Sequence, residues 1–598
     1  MTTTTPSERA EGVHWDLTHI LSDEAAATDL LSATNILVTR FADHHRGNVG
    51  ALDGPGLRDA LADLAAIENA LSRVSSYAHL RESIDSESEA NRDLVAKVDQ
   101  ALVEVGNQLR FFELEWVALP DEVALPLANA PEVAADRHFL ISQRRFAPHV
   151  RTEQEEEMLA ERQTAAVRAW QTLFGRVTST LEIPFDDGGG EEPHTVDRLL
   201  AYVRRPDRDL RHRALAALYA GLAPHAPTLA HCYDTLVADR LTMDRLRSYE
   251  DPMDPTHLRN ELPRAAVTRM LERVEAAYPL AQRWFRVKGR LLGIEPLHLA
   301  DQYAPIGEAR PVAFDEGRVL VEEAFARFSP EVAEVAKGIM GTGRLDAEPR
   351  VGKRGGAFCA PVSQDGPIYV LMNYNDRFQD VVTLAHELGH AMHFQLSQGA
   401  QSAHSAYTGL ALAEVPSTFA ESVTLDHVLA TETDPQTRRT LVCEHVEGVF
   451  ASVFRQTVLA RYEQRAYAAR AAGQSLSDER LGDIWLEENR RYYGDSVELP
   501  EAYGLGWSYI PHFISTRFYT YAYVFASLVA LTLHARQRAD TEAFMAPYLE
   551  FLTRGGSAPP AELLRPLGID LDDPDVWEPG IAELERLVEE AERVAGEA

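Results

Sequence analysis

The sequence predicts a mostly α-helical protein with a small β-sheet. Apolar residues recur at helical spacing over long stretches of the chain, whereas strand signals are short and few. With 598 residues, the chain exceeds what a single hydrophobic core usually serves, so two or more structural units are expected.

The elements follow in order. "LRDALADLAAIENALSRVSSYAHLR", from Leu57, carries a long apolar helical pattern. "LEIPFDDGGGEEPHTVDRLL", Leu181 to Leu200, then interrupts the helices: three glycines among acids suit a turn, and the flanking "TLEIPF" and "PHTV" suit a small hairpin. We place a boundary there, giving an N-terminal helical domain over 1–190 and a chemistry-bearing domain over 191–598. "DRDLRHRALAALYAGLA" sets Leu210, Ala214, Leu218 and Leu222 on one helical face, with arginines on the others. "GKRGGAFCAPV" reads as a glycine-rich turn or mobile loop. "GPIYVLMNYND", Gly366 to Asp376, reads as a strand ended by Asn-Asp. An edge strand there, Tyr369 to Asn373, has the means to hold an extended peptide by its backbone. The chain closes on a helical "GIAELERLVEEAERVAGEA". No repeat of fixed period is present, and the only low-complexity stretch is the Thr-rich start.

Composition narrows the function classes. The 58 basic and 92 acidic side chains leave a net charge of −34, which argues against nucleic-acid or anionic-membrane partners, since both need a positive footprint. The three cysteines, Cys232, Cys359 and Cys443, are scattered, with no C-x-x-C pair, so neither a disulfide framework nor a cysteine metal knot is expected. "MTTTTPSERAEGVHWDL" lacks a basic segment followed by an apolar run, the mark of a secretory leader. "YTYAYVFASLVALTLHA" is too short and too polar for a membrane span. The expectation is a cytoplasmic protein.

The chemistry centres on "DVVTLAHELGHAMHFQL". His386 and His390 are four apart, so a helix presents both imidazoles to one ion. Glu387 follows the first and is placed to act as a base on a water at that ion. Gly389 costs a helix about 1 kcal/mol, which points to close packing. Zinc needs a third ligand. The spacing that would supply a third histidine fails, because His393 and Leu396 stand where a glycine and a histidine are required. Two glutamates remain in "TGLALAEVPSTFAESVTLDHV": Glu414 and Glu421, both in an apolar helical setting where an unpaired carboxylate is expensive. Pro416 is expected in the first turn of that helix. His393 is read as a packed, locally hydrogen-bonded histidine.

"HELGHAMH" followed by "LAEVPSTFAE" resembles the thimet oligopeptidase and oligoendopeptidase F family of zinc metallopeptidases. "WDLTHIL", "LLAYVRRPDRDLRHRALAAL", "KRGGAFC" and "IPHFISTRFYTYAYVFA" extend the resemblance over nearly the whole chain. It departs after "IPHF", where Ile514 and Ser515 replace aromatic residues. The resemblance implies a helical zincin-type oligopeptidase with a small sheet beside the active-site helix and a deep cleft. It implies one Zn2+ held by His386, His390 and Glu414, with Glu387 as general base and short unfolded peptides as substrates. Glu421 then reads as the group that holds a ligand histidine. The resemblance also makes His512, Tyr519 and Tyr523 the donors to the substrate carbonyl. Tyr519 and Tyr523, four apart, share a helix face, while Tyr521 falls in the core and His512 in a loop.

Two other functions compete. A zinc carboxypeptidase of related helical fold would need a group for the terminal carboxylate, for which Arg517 is a candidate. A peptide-binding protein with structural zinc would need a fourth protein ligand.

Overall fold

The computed structural model describes residues 10–307 and 310–596; residues 1–9, with the Thr-rich start and most of the segment searched for a leader, lie outside them. By compactness the chain divides into two units, each built from three separate segments. The first comprises Met1–Glu157, Arg310–Thr431 and Leu533–Asp570; the second comprises Met158–Ala309, Glu432–Thr532 and Leu571–Ala598. This division differs from the break expected near 190. The helix Ala169–Thr180 already packs on Ala226–Leu246, so the chain joins the second unit before it reaches the glycine turn.

In the first unit, three long helices, Glu24–His45, Gly54–Ile84 and Glu89–Ala118, pack around Phe41, Leu57, Leu61 and Trp116. Each starts where a side-chain oxygen accepts a free backbone N–H: Asp23, Asp53 and Ser88 are the caps. The C-terminal half of Gly54–Ile84 lies against the sheet, where Val74, Tyr77 and Leu80 share a core with Trp15, Tyr369 and Leu371. Trp15 Nε1 donates to Val370 O at 2.8 Å, anchoring the N-terminal segment to the sheet backbone.

That sheet has three strands. Ile368–Leu371 is the middle one: it runs antiparallel to Phe358–Pro361 and parallel to Leu345–Asp346. All four of its residues are buried, as an unbroken apolar run with neighbours on both sides should be. The expectation that Tyr369 to Asn373 forms an edge strand is therefore corrected. Its backbone is paired within the protein, and the outer strand on that side is Phe358–Pro361. The glycine-rich loop before it is tied down rather than free. Lys353 Nζ, fully buried, bonds Met372 O at 2.6 Å and pairs with Asp346 at 2.7 Å. Asn373 Nδ2 donates to Arg354 O and Gly356 O, both at 3.0 Å.

The strand feeds directly into the helix Phe378–Ala400, which carries the histidine motif. Asp376 takes a left-handed conformation, φ 58°, and Asp380 Oδ2 accepts the N–H groups of Asn375 and Arg377 at 2.8 and 3.0 Å. This tight corner lays the motif helix against both Phe358–Pro361 and Ile368–Leu371. On its other side it packs along Leu410–Thr431 and Thr541–Arg554.

The second unit is helical apart from two small strand pairs. Ile183–Asp186 and Glu191–His194 form the hairpin that the glycine turn suggested. Asp186 Oδ1 accepts from Gly188 and Gly190, both at 2.9 Å, and these two glycines hold φ of 110° and 116°, which other residues rarely adopt. Leu297–His298 and Val497–Glu498 pair in parallel. Around them pack Arg208–Leu222, Ala226–Leu246, Tyr278–Leu292, Gln456–Ala471, Asp478–Tyr493 and Glu578–Gly596. Among the described residues, no helix is long and apolar enough to cross a membrane.

Candidate metal centre

The centre is made by two helices. Residues i and i+4 share a helix face, so Phe378–Ala400 presents His386 and His390 together, their ring centroids 4.9 Å apart. Leu410–Thr431 supplies Glu414. Its Oε2 lies 3.5 Å from His386 Nε2 and 3.5 Å from His390 Nε2. The three donor atoms fall within 4.8 Å of one another, and among the described residues no other group of three or more His, Cys, Asp or Glu gathers in this way.

Gly389 makes the approach possible. A Cβ there would stand 2.6 Å from Ser417 Cα and 2.8 Å from Pro416 O, distances that backbone atoms do not allow. The glycine thus sits where the two helices touch, one residue before His390. Pro416 is inside Leu410–Thr431 rather than in its first turn, because that helix starts earlier than the proline suggested. The ring removes the N–H that would have bonded Leu412 O. Ser417 Oγ donates to Glu414 O at 2.9 Å and stands 3.4 Å from Glu414 Oε2.

Glu421 does not join the donor set. Its Oε1 lies 2.5 Å from His386 Nδ1, so it accepts that ring's N–H and leaves Nε2 facing Glu414. The charges tell the same story. Burial alone would raise the Glu414 carboxyl, but the hydrogen bonds and charges of His386 and His390 hold it well below the usual carboxylate range. Burial would lower His386, yet Glu414 and Glu421 carry it well above an ordinary histidine.

Glu387 follows His386 and is 6% exposed. Burial raises its carboxyl pKa, opposed by the two histidines and reinforced by Glu414 and Glu421. A raised carboxyl is the property a proton-transferring base needs. Cys359, on the outer strand, has its thiol pushed well up by burial and then by the charge of Glu387. His393 packs in the core, as expected, its ring stacked on Phe394 and Phe551. The expected local hydrogen bond is missing: neither ring nitrogen has a partner among the described residues, and burial holds the ring neutral, with a pKa of about 3.

The second unit draws His512, Tyr519 and Tyr523 into one cluster. The His512 ring is 5.8 Å from Tyr519 and 6.2 Å from Tyr523, and the two phenols meet edge to face at 4.9 Å. His512 opens a one-turn helix, His512–Ser515, rather than lying in a loop. Tyr519 and Tyr523 do not share a helix, because the helix begins only at Tyr521. The turn that leads into that helix, with Ala522 N donating to Tyr519 O at 3.0 Å, keeps the two tyrosines together, and the left-handed Phe518, φ 50°, sets the direction of both relative to His512. Tyr521 is buried as expected, its hydroxyl 3.0 Å from Asn260 Nδ2 and 3.2 Å from His257 Nδ1. Burial and then the charge of Arg455 keep His512 below its ordinary pKa, so it is neutral at physiological pH and its N–H is a donor. Arg517 is bound to Asp244 by two hydrogen bonds of 2.7 Å. Sequence reasoning passed over Glu463, fully buried behind this cluster, whose only mark in the sequence is a carboxylate next to an aromatic residue in "LARYEQRAY".

Comparison with known proteins gives the family and the fold. Residues 201–583 match Peptidase family M3, and residues 115–182 match Oligopeptidase F. The chain is 24% identical to Oligopeptidase PepF of Bacillus subtilis (strain 168), over 97% of this chain and 87% of that relative. It is 26% identical to an Oligoendopeptidase F homolog of Lactococcus lactis subsp. lactis (strain IL1403), over 98% of both. The fold is similar to the crystal structure of oligoendopeptidase-F from Enterococcus faecium, with a TM-score of 0.74 and 21% identity over 96% of this chain and 99% of that one. It is also similar to Pz peptidase A solved with an inhibitor, with a TM-score of 0.76 and 18% identity over 94% and 97%.

Proposed function

The chain belongs to peptidase family M3 and is a metallo-oligoendopeptidase, and from that premise we propose that it uses one Zn2+ to hydrolyse internal bonds of short unfolded peptides. The observation that carries this is the convergence of His386 Nε2, His390 Nε2 and a Glu414 carboxylate oxygen within 4.8 Å. Two imidazoles and one carboxylate suit zinc, and three protein ligands are the mark of a catalytic rather than a closed structural site. Glu421, turned to His386 Nδ1, is not a fourth ligand, which weighs against a structural zinc.

When bound, the ion supplies a Lewis acid for the scissile carbonyl and makes water easier to deprotonate. Glu387 takes a proton from the attacking water and passes it to the leaving amine, a role its raised carboxyl pKa supports. His512, Tyr519 and Tyr523 donate hydrogen bonds to the substrate carbonyl as negative charge develops on it; their clustering and the resemblance of "IPHFISTRFYTYAY" support this. Glu421 keeps His386 oriented. Phe358–Pro361, the outer strand beside the motif helix, replaces Tyr369 to Asn373 as the proposed backbone grip on an extended peptide. Substrates N-methylated at single amides should lose affinity at alternate positions if this is right, and at none if side-chain pockets alone hold the peptide.

Arg517, the candidate for a terminal-carboxylate clamp, is neutralised by Asp244, which disfavours the carboxypeptidase reading. The first matched segment ends at 182 and the second starts at 201, and we place the start of the catalytic region at 191, between them. The three free cysteines support a cytoplasmic peptidase, and a net charge of −34 supports one with no nucleic-acid or membrane partner.

The test is a comparison of metal content and hydrolysis in Glu387→Gln. The variant should keep its zinc and lose most activity. Retained activity, or lost zinc, would overturn the assignment of Glu387.

A further inference from the structure

Between the one-turn helix His512–Ser515 and the helix starting at Tyr521, the chain makes a turn with few backbone bonds of its own. Side chains from neighbouring helices hold the backbone before and within this turn. Arg240, on Ala226–Leu246, donates to Phe513 O at 2.9 Å and to Ile514 O at 2.6 Å. Asp244, one turn on, grips the Arg517 side chain, and Thr256 Oγ1 donates to Arg517 O at 3.2 Å. The centre of the turn is Phe518, a non-glycine residue at φ 50°, its side chain buried against Tyr467. Such a conformation persists only where the surroundings over-determine it. The group that does so is Glu463, on Gln456–Ala471: its Oε2 accepts the Phe518 N–H at 3.0 Å. Glu463 is fully buried, and among the described residues its other oxygen has no hydrogen-bond partner. A buried carboxyl with one oxygen unsatisfied is a costly choice for packing alone. Its bond goes to the left-handed residue that stands between His512 and the two tyrosines.

We propose that Glu463 is a positioning residue, which holds the left-handed turn at Phe518 and so brings Tyr519 and Tyr523 onto His512. The inference rests on the assignment of those three residues to the substrate carbonyl. Glu463 touches neither substrate nor metal. It acts by keeping donors in place that would otherwise have to be ordered during the reaction. Burial pushes its carboxyl up to about 8, with the Phe518 N–H and then the charges of Arg240 and Arg517 pulling the other way. At neutral pH it is therefore largely the neutral acid, and glutamine is its nearest mimic.

The experiment measures kcat, KM and zinc content for the parent enzyme, Glu463→Ala, Glu463→Asp and Glu463→Gln. Glu463→Ala and His512→Ala are also combined. Removing the acceptor, or drawing it back by one methylene, should lower kcat by on the order of 10²-fold, with KM and zinc little changed. Glu463→Gln keeps an acceptor and should stay close to the parent. In the His512→Ala background, Glu463→Ala should cost little more, because both act on one set of donors. If Glu463→Ala does not fold, Glu463→Asp and Glu463→Gln carry the test between them. A damaged His512→Ala beside parental Glu463→Ala and Glu463→Asp sinks the clamp and leaves the His512 assignment standing. A parental His512→Ala sinks that assignment and the clamp with it. Losses that multiply in full in the double variant, or a folded Glu463→Gln as damaged as Glu463→Asp, would make Glu463 a structural residue only.

Discussion

Glu421 Oε1 stands 2.5 Å from His386 Nδ1 while Glu414 Oε2 stands 3.5 Å from the Nε2 of the same ring. One imidazole is thus addressed by two carboxylates from one helix, seven residues apart. One faces the nitrogen proposed to bind the metal, and the other faces the nitrogen whose N–H fixes the tautomer. The division of labour between these glutamates can be measured.

Glu414→Ala removes a ligand, and Glu421→Ala removes the ring's support. Zinc affinity should collapse in the first and fall by about 10–100-fold in the second. Isothermal titration with the metal-stripped variants checks this. Full affinity in Glu414→Ala with loss in Glu421→Ala would reverse the assignment.

Gly389→Ala sets two effects against each other. Alanine favours the helix by about 1 kcal/mol. Its Cβ would meet the Ser417 backbone at 2.6 Å, and overpacking costs about 1–3 kcal/mol, more where backbone must move. The clash should win: the melting temperature should drop, and zinc affinity with it, since Glu414 rides on the helix that is pushed away. A variant that melts higher than the parent would show that the helices part without cost.

His512→Ala should reduce kcat by roughly 10²–10³-fold, the usual loss of one donor to a developing oxyanion, with a smaller change in KM. Steady-state kinetics on a quenched peptide would show it. Near-parental kcat in a folded variant would return His512 to a structural role.

Stability should depend on pH through Glu463. Its carboxyl is raised from the ordinary 4.5 to about 8 in the folded protein. The folded state therefore keeps a proton that the unfolded state releases, and stability is complete below 4.5 and lost as pH rises through 8. Glu463→Gln has no such proton to lose. The melting temperature of the variant relative to the parent should climb between pH 5 and pH 8.5. A difference that stays flat across that range would contradict the raised carboxyl.

Much of this was legible in the sequence where one helix holds all the information. His386 and His390 come from one face of one helix with Glu387 next to the first, and local spacing finds them. Glu414 came from a cost argument, that a carboxylate in an apolar helix needs a partner, and from a resemblance; nothing local separates it from Glu421. Gly389 was marked by its propensity cost, though its neighbours Pro416 and Ser417 lie on another helix. What the sequence hid was non-local. Ile368–Leu371 reads as a strand, but whether it is an edge depends on Leu345–Asp346 and Phe358–Pro361 finding it. Tyr519 and Tyr523 look like helical neighbours at a spacing of four. Where they lie relative to His512 depends instead on one left-handed residue, Phe518, whose N–H is held by a glutamate more than fifty positions away. Compact units made of three segments each cannot be read from a single composition shift near 190.

The central claim, metal-dependent internal cleavage, is tested most directly by a product map. Peptides blocked at both termini are digested with and without a zinc chelator, and the fragments are identified by mass. The account predicts paired fragments from internal cuts, none with the chelator, and recovery when zinc is restored. Cleavage that survives the chelator, or products that appear only when the termini are free, would contradict it.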